Sequence, residues 1–205
     1  IAPDPLWRAG EILLSRSAES RNIIGFDGKK AVSFTWDELS DTQKSQLNHD
    51  PELLSYLRGN PNPRFRKRKG KLGDIVHASP HVVGNHLYVG ANDGMLHVFN
   101  AASGEEAFAY VPNLVFPDLA RLADKLYAHR CFVDQTPACS DIRISGKDKI
   151  WLVGGLGKGG KGYFCLDITE VDRMGSFSPD NLKQLVQWEF KDDEGLGYTF
   201  SEPVI

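Results

Sequence analysis

Gly155-Leu-Gly157-Lys-Gly-Gly160-Lys161 is the stretch of this 205-residue chain whose spacing comes nearest to a recognisable chemistry. It satisfies G-x-G-x-x-G and, through Lys161, G-x-x-x-x-G-K, the patterns of loops that cradle phosphate. Such a loop needs a helix directly after it, so that free amides and the helix dipole face the anion. Here the glycines run into Tyr163-Phe-Cys-Leu-Asp-Ile, which favours strand, and Gly162 stands where a Ser or Thr would be required. The segment therefore predicts a mobile glycine hairpin at the edge of a sheet, with Lys158 and Lys161 within reach of an anion.

Other reactive residue types are scattered. His77, His81, His86, His97 and His129 follow no metal-binding spacing, and Pro80 breaks any helix that would put His77 and His81 on one face. They read as polar strand positions, His77 and His129 hydrogen-bonded where blades meet. Cys131, Cys139 and Cys165 are odd in number and lack metal spacing. A Cys131–Cys139 bridge is one reading; small apolar residues buried in strands is the favoured one. Asp192-Asp193-Glu194-Gly195 reads as an acidic turn without alternating calcium-ligand spacing, and Glu105-Glu106 as a carboxylate pair facing water. No serine, cysteine or carboxylate stands in a catalytic pattern. Arg64, Arg66, Lys67, Arg68, Lys69 and Lys71 form a dense basic run around Phe65. It is the candidate partner-binding segment, against the plainer reading of a solvated linker. Nucleic acid is not the expected partner, because the chain carries a net charge of −3 and no aromatic platform follows the run.

The elements that hold these residues divide near residue 71. Residues 1–71 read as a helical and hairpin segment: a helix over 6–17, a hairpin over 22–36 turning at Asp27-Gly28, and a helix over 37–47. A last helix is capped by Asp50, opened by Pro51 and closed at Arg58 by Gly59. From residue 72 the pattern changes. Residues 75–83, 87–90, 95–99 and 107–111 read as four strands, with Asn92-Asp93-Gly94 a strong hairpin turn. Four antiparallel strands in so short a span make one blade of a β-propeller. Residues 131–190 repeat the pattern, and a third cycle begins at residue 197. Pro80, Pro137 and Pro203 recur at matching places, spaced wider than the ~40–45 residues usual for such repeats. The excess falls in insertions, the first with a helix over 117–126. The fold expected is mainly β: a partial propeller over 72–205, with blades at about 72–112 and 131–190 and the first strand of a third. An unpaired strand over 199–205 would be an edge open to self-association. No apolar run reaches the ~18 residues of a membrane span. The opening Ile1-Ala-Pro-Asp-Pro reads as the start of a processed product.

The order of these motifs resembles the C-terminal propeller domain of the type IV pilus biogenesis PilC/PilY family. DPLW at 4–7, FTWDELS at 34–40, DPELLSYLRGN at 50–60 and LGDIVHASP at 72–80 carry the resemblance. It continues through VGANDGMLHVFNAASGEEAFAYVPN, AHRCFVDQTP, LVGGLGKGGKGYFCLDIT and LGYTFSEPVI, over almost the whole chain. It implies a secreted, non-enzymatic protein at the outer surface that supports pilus assembly, counteracts retraction and mediates adhesion. The implied partners are pilins, minor pilins, and a host or abiotic surface. The family's calcium loop, of the type D-x-D-x-D-G, has no counterpart in this sequence, so calcium stays an implication for the parent protein. Alternative readings are a quinoprotein-like propeller dehydrogenase, from the blade phrase VFNAASGEEAFAYV, and a generic propeller interaction module.

Overall fold

The structure, a computed structural model, describes residues 4–192 and 194–205. The sequence readings at Ile1 and at Asp193 lie outside the described residues.

The chain opens with α1 (Ala9–Ser15) and a hairpin of β1 (Ile23–Phe26) and β2 (Ala31–Ser33), then α2 (Asp41–Gln46) and α3 (Pro51–Arg58). Both helix starts follow from local chemistry. Ser40 caps α2 in a capping box with Gln43, and Asp50 caps α3 ahead of Pro51. Gly59, at φ 122°, ends α3 in a conformation that an L side chain rarely adopts. The helix expected over 37–47 thus starts only at the Ser40 cap, and the one over 6–17 contracts to α1.

The first blade is β3 (His81–Val83), β4 (His86–Gly90), β5 (Leu96–Asn100) and β6 (Glu106–Val111). A short helix, α4 (Phe116–Leu119), sits between two 3-10 turns where a helix over 117–126 was expected. The second blade is β7 (Ala138–Ile144), β8 (Lys147–Gly155), β9 (Tyr163–Asp167) and β10 (Val186–Phe190), with α5 (Pro179–Lys183) in its last connection. The strand orders are β2-β1-β6-β5-β4-β3 and β10-β9-β8-β7. Each blade is an antiparallel meander, the mainly β blade architecture expected from the sequence. The hairpin over 22–36 does more than precede the first blade. β1 pairs in parallel with β6, setting Ile23 opposite Ala109 and Gly25 opposite Val111, so the sheet runs across residue 71.

Two strand readings change. Of residues 75–83 only 81–83 form a strand, because Pro80 offers no N–H to a ladder and stands directly before β3, as Pro137 stands before β7. Residues 197–205 form no strand; one bridge sets Thr199 opposite Gly157. The edge predicted at 199–205 is therefore not there.

One apolar core joins the helices to both sheets, with Leu54, Tyr56, Tyr110, Phe116, Phe164 and Leu166 among its members. β6 is buried at every position, so it reads as a continuous apolar run rather than an alternating one.

Candidate functional site

The residues leading into the second blade dock on the first. Val133 N–H donates to Ala91 O at 3.4 Å and Phe132 N–H to Asn92 Oδ1 at 3.0 Å, fixing the second blade's lead-in against the first blade's β4–β5 turn. One repeat later, Leu156 N–H and Gly157 N–H donate to Thr199 Oγ1 at 3.0 and 3.3 Å. Equivalent positions also meet across repeats. Ser79 N–H donates to Thr136 Oγ1 at 2.8 Å, His77 Nδ1 meets Asp134 Oδ2 at 2.5 Å, and Gln135 Nε2 donates to Ser201 O. These positions are His77/Asp134, Ser79/Thr136 and Gln135/Ser201, counted back from Pro80, Pro137 and Pro203. The lead-ins thus form a seam between blades, a role that a reading of 75–83 as plain strand missed.

The glycine-rich loop belongs to this seam. A Cβ on Gly155 would collide with Gln135, and one on Gly159 with the Phe132 backbone. A Cβ on Gly157 would lie 3.0 Å from Asp134 O, and one on Gly162 2.7 Å from Leu114. Gly157 has φ 57°, the left-handed region that glycine enters freely. The glycines are there for close approach, and β9 rather than a helix follows them. The loop is packed between lead-in and sheet instead of forming a mobile tip, and only Lys158 and Lys161 stand out into solvent.

A second polar constellation lies inside the first blade. Arg21 clasps Glu106 with Nε to Oε2 and Nη2 to Oε1, both at 2.8 Å. His97 Nδ1 meets Glu106 Oε1 at 2.8 Å and its Nε2 meets Asp93 Oδ2 at 3.0 Å. Glu106 is only 3% exposed, so the reading of Glu105-Glu106 as a water-facing pair fails for its second member. Burial pushes the Glu106 carboxyl up, but hydrogen bonds from Arg21 and His97 outweigh it and hold the group well below the usual carboxylate range. Burial would likewise lower His97, but Asp93 and Glu106 prevail and raise it to about 9. The group alternates in charge and closes on itself, which suits a structural pin. Arg21 and Glu106 stand far apart in sequence, and no local signal joins them.

Two more histidines meet carboxylates: His86 Nδ1 lies 2.6 Å from Asp172 Oδ1 and His129 Nε2 lies 2.7 Å from Asp74 Oδ2. The three cysteines are free thiols, so the Cys131–Cys139 bridge is not formed. Cys139 and Cys165 lie in strands, whereas Cys131 lies in the seam.

The basic run is bound into the fold more than a solvated linker would be. Arg66 donates to Leu122 O at 3.1 Å and lies 3.9 Å over the Tyr127 ring. Arg68 donates to Tyr56 O and lies 4.1 Å over that ring. Lys71 Nζ donates to Leu14 O at 3.0 Å and to Arg16 O, and Arg64 pairs with Asp50 at 2.8 Å and Glu52 at 2.5 Å. Lys67 and Lys69 are exposed. Arg66, Lys67, Arg68 and Lys71 of the run, with Leu14, Tyr56 and Phe65, line a groove of about 680 Å³.

Comparison with known proteins places this geometry. A family model described as the PilY1 beta-propeller domain matches residues 69–205. The type IV pilus biogenesis factor PilY1 of Pseudomonas aeruginosa strain UCBPP-PA14 is 35% identical over 97% of this chain and 21% of its own length. A PilY1 homolog of Xylella fastidiosa is 32% identical over 98% of this chain and 18% of its own. This chain thus spans about a fifth of the length of these relatives. The crystal structure of the Pseudomonas aeruginosa PilY1 C-terminal domain is 38% identical, covers 58% of this chain and 21% of that one, and superposes with a TM-score of 0.41. The chain therefore belongs to the PilY1 family, with residues 69–205 matching that family's β-propeller domain.

Proposed function

We propose that this chain is part of a type IV pilus biogenesis factor and acts as a non-enzymatic scaffold at the outer cell surface. In this reading it supports pilus assembly, limits retraction and contributes to adhesion. The observation that carries it is 35% identity, over 97% of the chain, to a protein named for pilus biogenesis. The arrangement of charge supports a scaffold: Arg21, Glu106, His97 and Asp93 are spent on one another in the core. Partners are pilins or minor pilins, met through surfaces such as the exposed Lys67, which lines the basic groove, and the exposed Lys69 two residues on. Among the described residues no helix is long and apolar enough to cross a membrane.

The test is deletion of the gene in its own host, followed by counting surface pili and measuring twitching motility. Loss of surface pili, restored by the intact gene and by a variant blocked in retraction, is expected. Normal pili and normal twitching in the deletion strain would end this reading. In the complemented strain, Lys67→Glu with Lys69→Glu is expected to reduce capture of the protein by sheared pili; undiminished capture would remove the basic groove from the interface.

A further inference from the structure

We propose that His77, Cys131 and Asp134 bind a thiophilic divalent cation of the zinc class at the seam between the two blades. One donor atom from each, the His77 ring nitrogen, Cys131 Sγ and an Asp134 carboxylate oxygen, all lie within 4.8 Å of one another. Two donors come from one tight loop, as Cys131-x-x-Asp134, and the third from the lead-in to the other blade. Neither spacing alone signals a metal; the fold brings them together.

The donor set selects the ion. Thiolate and imidazole suit zinc, and a single carboxylate with a thiolate does not suit calcium or magnesium, which take several oxygens. Thiolate, carboxylate and neutral imidazole would balance a dication, and three protein donors leave a fourth position for water. The anchor is rigid. The Asp134 side chain is 1% exposed, its Oδ1 accepts His77 N–H at 3.3 Å, and its own N–H donates to Leu156 O at 3.2 Å. The other side is adjustable. Bonds of ~2.0–2.3 Å in a tetrahedron set donor atoms roughly 3.3–3.6 Å apart. His77 Nδ1 and Asp134 Oδ2 are 2.5 Å apart, so the imidazole must swing outward by less than ~1 Å, and its side chain is 58% exposed. Burial and then the neighbouring Asp134 push the Cys131 thiol up to about 11, with Asp74 adding to the effect and Lys158 opposing it. A dication at that point reverses the balance and favours the thiolate. The ion would tie the lead-in of one blade to that of the next.

The test is a cobalt(II) titration of the reduced, chelator-stripped protein, read by visible and near-ultraviolet absorption, with melting temperature followed in zinc. Expected are the intense d–d bands of a tetrahedral centre and a thiolate-to-cobalt charge-transfer band at one equivalent, and a zinc-dependent rise in melting temperature. Cys131→Ser should abolish the charge-transfer band, and Cys139→Ser should keep it. His77→Gln, at an exposed side chain, leaves the fold intact. It should weaken binding by more than the ~10–100-fold that losing an outer-sphere partner costs. Absence of the charge-transfer band in the wild-type protein, its survival in Cys131→Ser, or unchanged affinity in His77→Gln would each overturn the site.

Discussion

β5 and β6 of the first blade are buried at nearly every position, whereas β7 and the first half of β8 in the second are half open to solvent. The strand order is the same in both. The surroundings differ: β1 and β2 extend the first sheet beyond β6, and the helices of the first 71 residues pack on it. The two blades also treat the carboxylate on their last strand differently, Glu106 being buried and Glu189 half-buried. Glu106, on the first blade's last strand, meets Arg21 and His97. Glu189, on the second blade's last strand, accepts from neutral donors, Tyr110 Oη at 2.5 Å and Asn113 N–H at 2.8 Å. A repeat can thus conserve its strand order while its polar interior is rebuilt to suit its neighbours.

The largest effect should come from breaking the first blade's charge cluster. Arg21→Met leaves Glu106 and Asp93 facing His97 alone in the core, and removal of one partner from a buried pair costs roughly 3–5 kcal/mol. Urea denaturation should show that loss, while Lys149→Met in the second blade's half-exposed Lys149–Asp167 pair should cost under ~1 kcal/mol. Equal losses would mean that the two blades are not different in this respect.

pH separates the two carboxylates. Burial pushes Glu189 up from 4.5 to about 7, beyond what its hydrogen bonds recover. The folded state then holds more protons than the unfolded one between those values, so stability falls as pH rises from 4.5 to about 7. His97 is raised from 6.5 to about 9, so its contribution is complete below 6.5 and is lost as pH climbs through about 9. Glu106 acts in the opposite sense at the acid end, its contribution present above 4.5 and lost as pH falls below it. Urea midpoints should therefore decline across both windows. Glu189→Gln should flatten only the first and His97→Gln only the second. A single midpoint profile common to all three proteins would refute this assignment.

What the sequence showed and hid follows the range of the interactions. The α3 cap, from Asp50 to Gly59, and the Asp27-Gly28 hairpin are set by neighbours in the chain and were legible. So were β8, β9 and β10, whose apolar runs end at glycines or polar turns. The parallel pairing of β1 with β6, the clasp of Arg21 on Glu106, and the meeting of His77 with Asp134 join residues distant in sequence. Single-residue types there gave no signal. The glycine loop was legible as a hairpin but misread as mobile, because the same glycines that permit a turn also permit a close approach.

That loop gives the next effect in size. Gly155→Ala and Gly159→Ala force a methyl group into Gln135 and the Phe132 backbone, where overpacking costs typically 1–3 kcal/mol. Gly175→Ala, with nothing within 4 Å, should stay within about 0.5 kcal/mol by the same denaturation measurement. If Gly155→Ala were as mild as Gly175→Ala, the loop would be the mobile tip that the sequence suggested.

The smallest effect should come from the ion pair that links the second blade's last connection to the turn after β2. Lys183, at the end of α5, reaches Glu38 at 2.8 Å, but the side chains are 24% and 40% exposed. Glu38 is already held by Ser33 N–H at 2.8 Å and Ser33 Oγ at 2.9 Å, so it keeps its place without the lysine. Lys183→Met should therefore cost no more than ~1 kcal/mol, and what it costs should shrink in high salt, since exposed pairs are screened. A larger, salt-insensitive loss would mean that charge rather than packing joins the second blade to the hairpin. In that case the ring contact of Phe164 on β9 with Tyr110 on the first blade, at 5.3 Å, would be secondary.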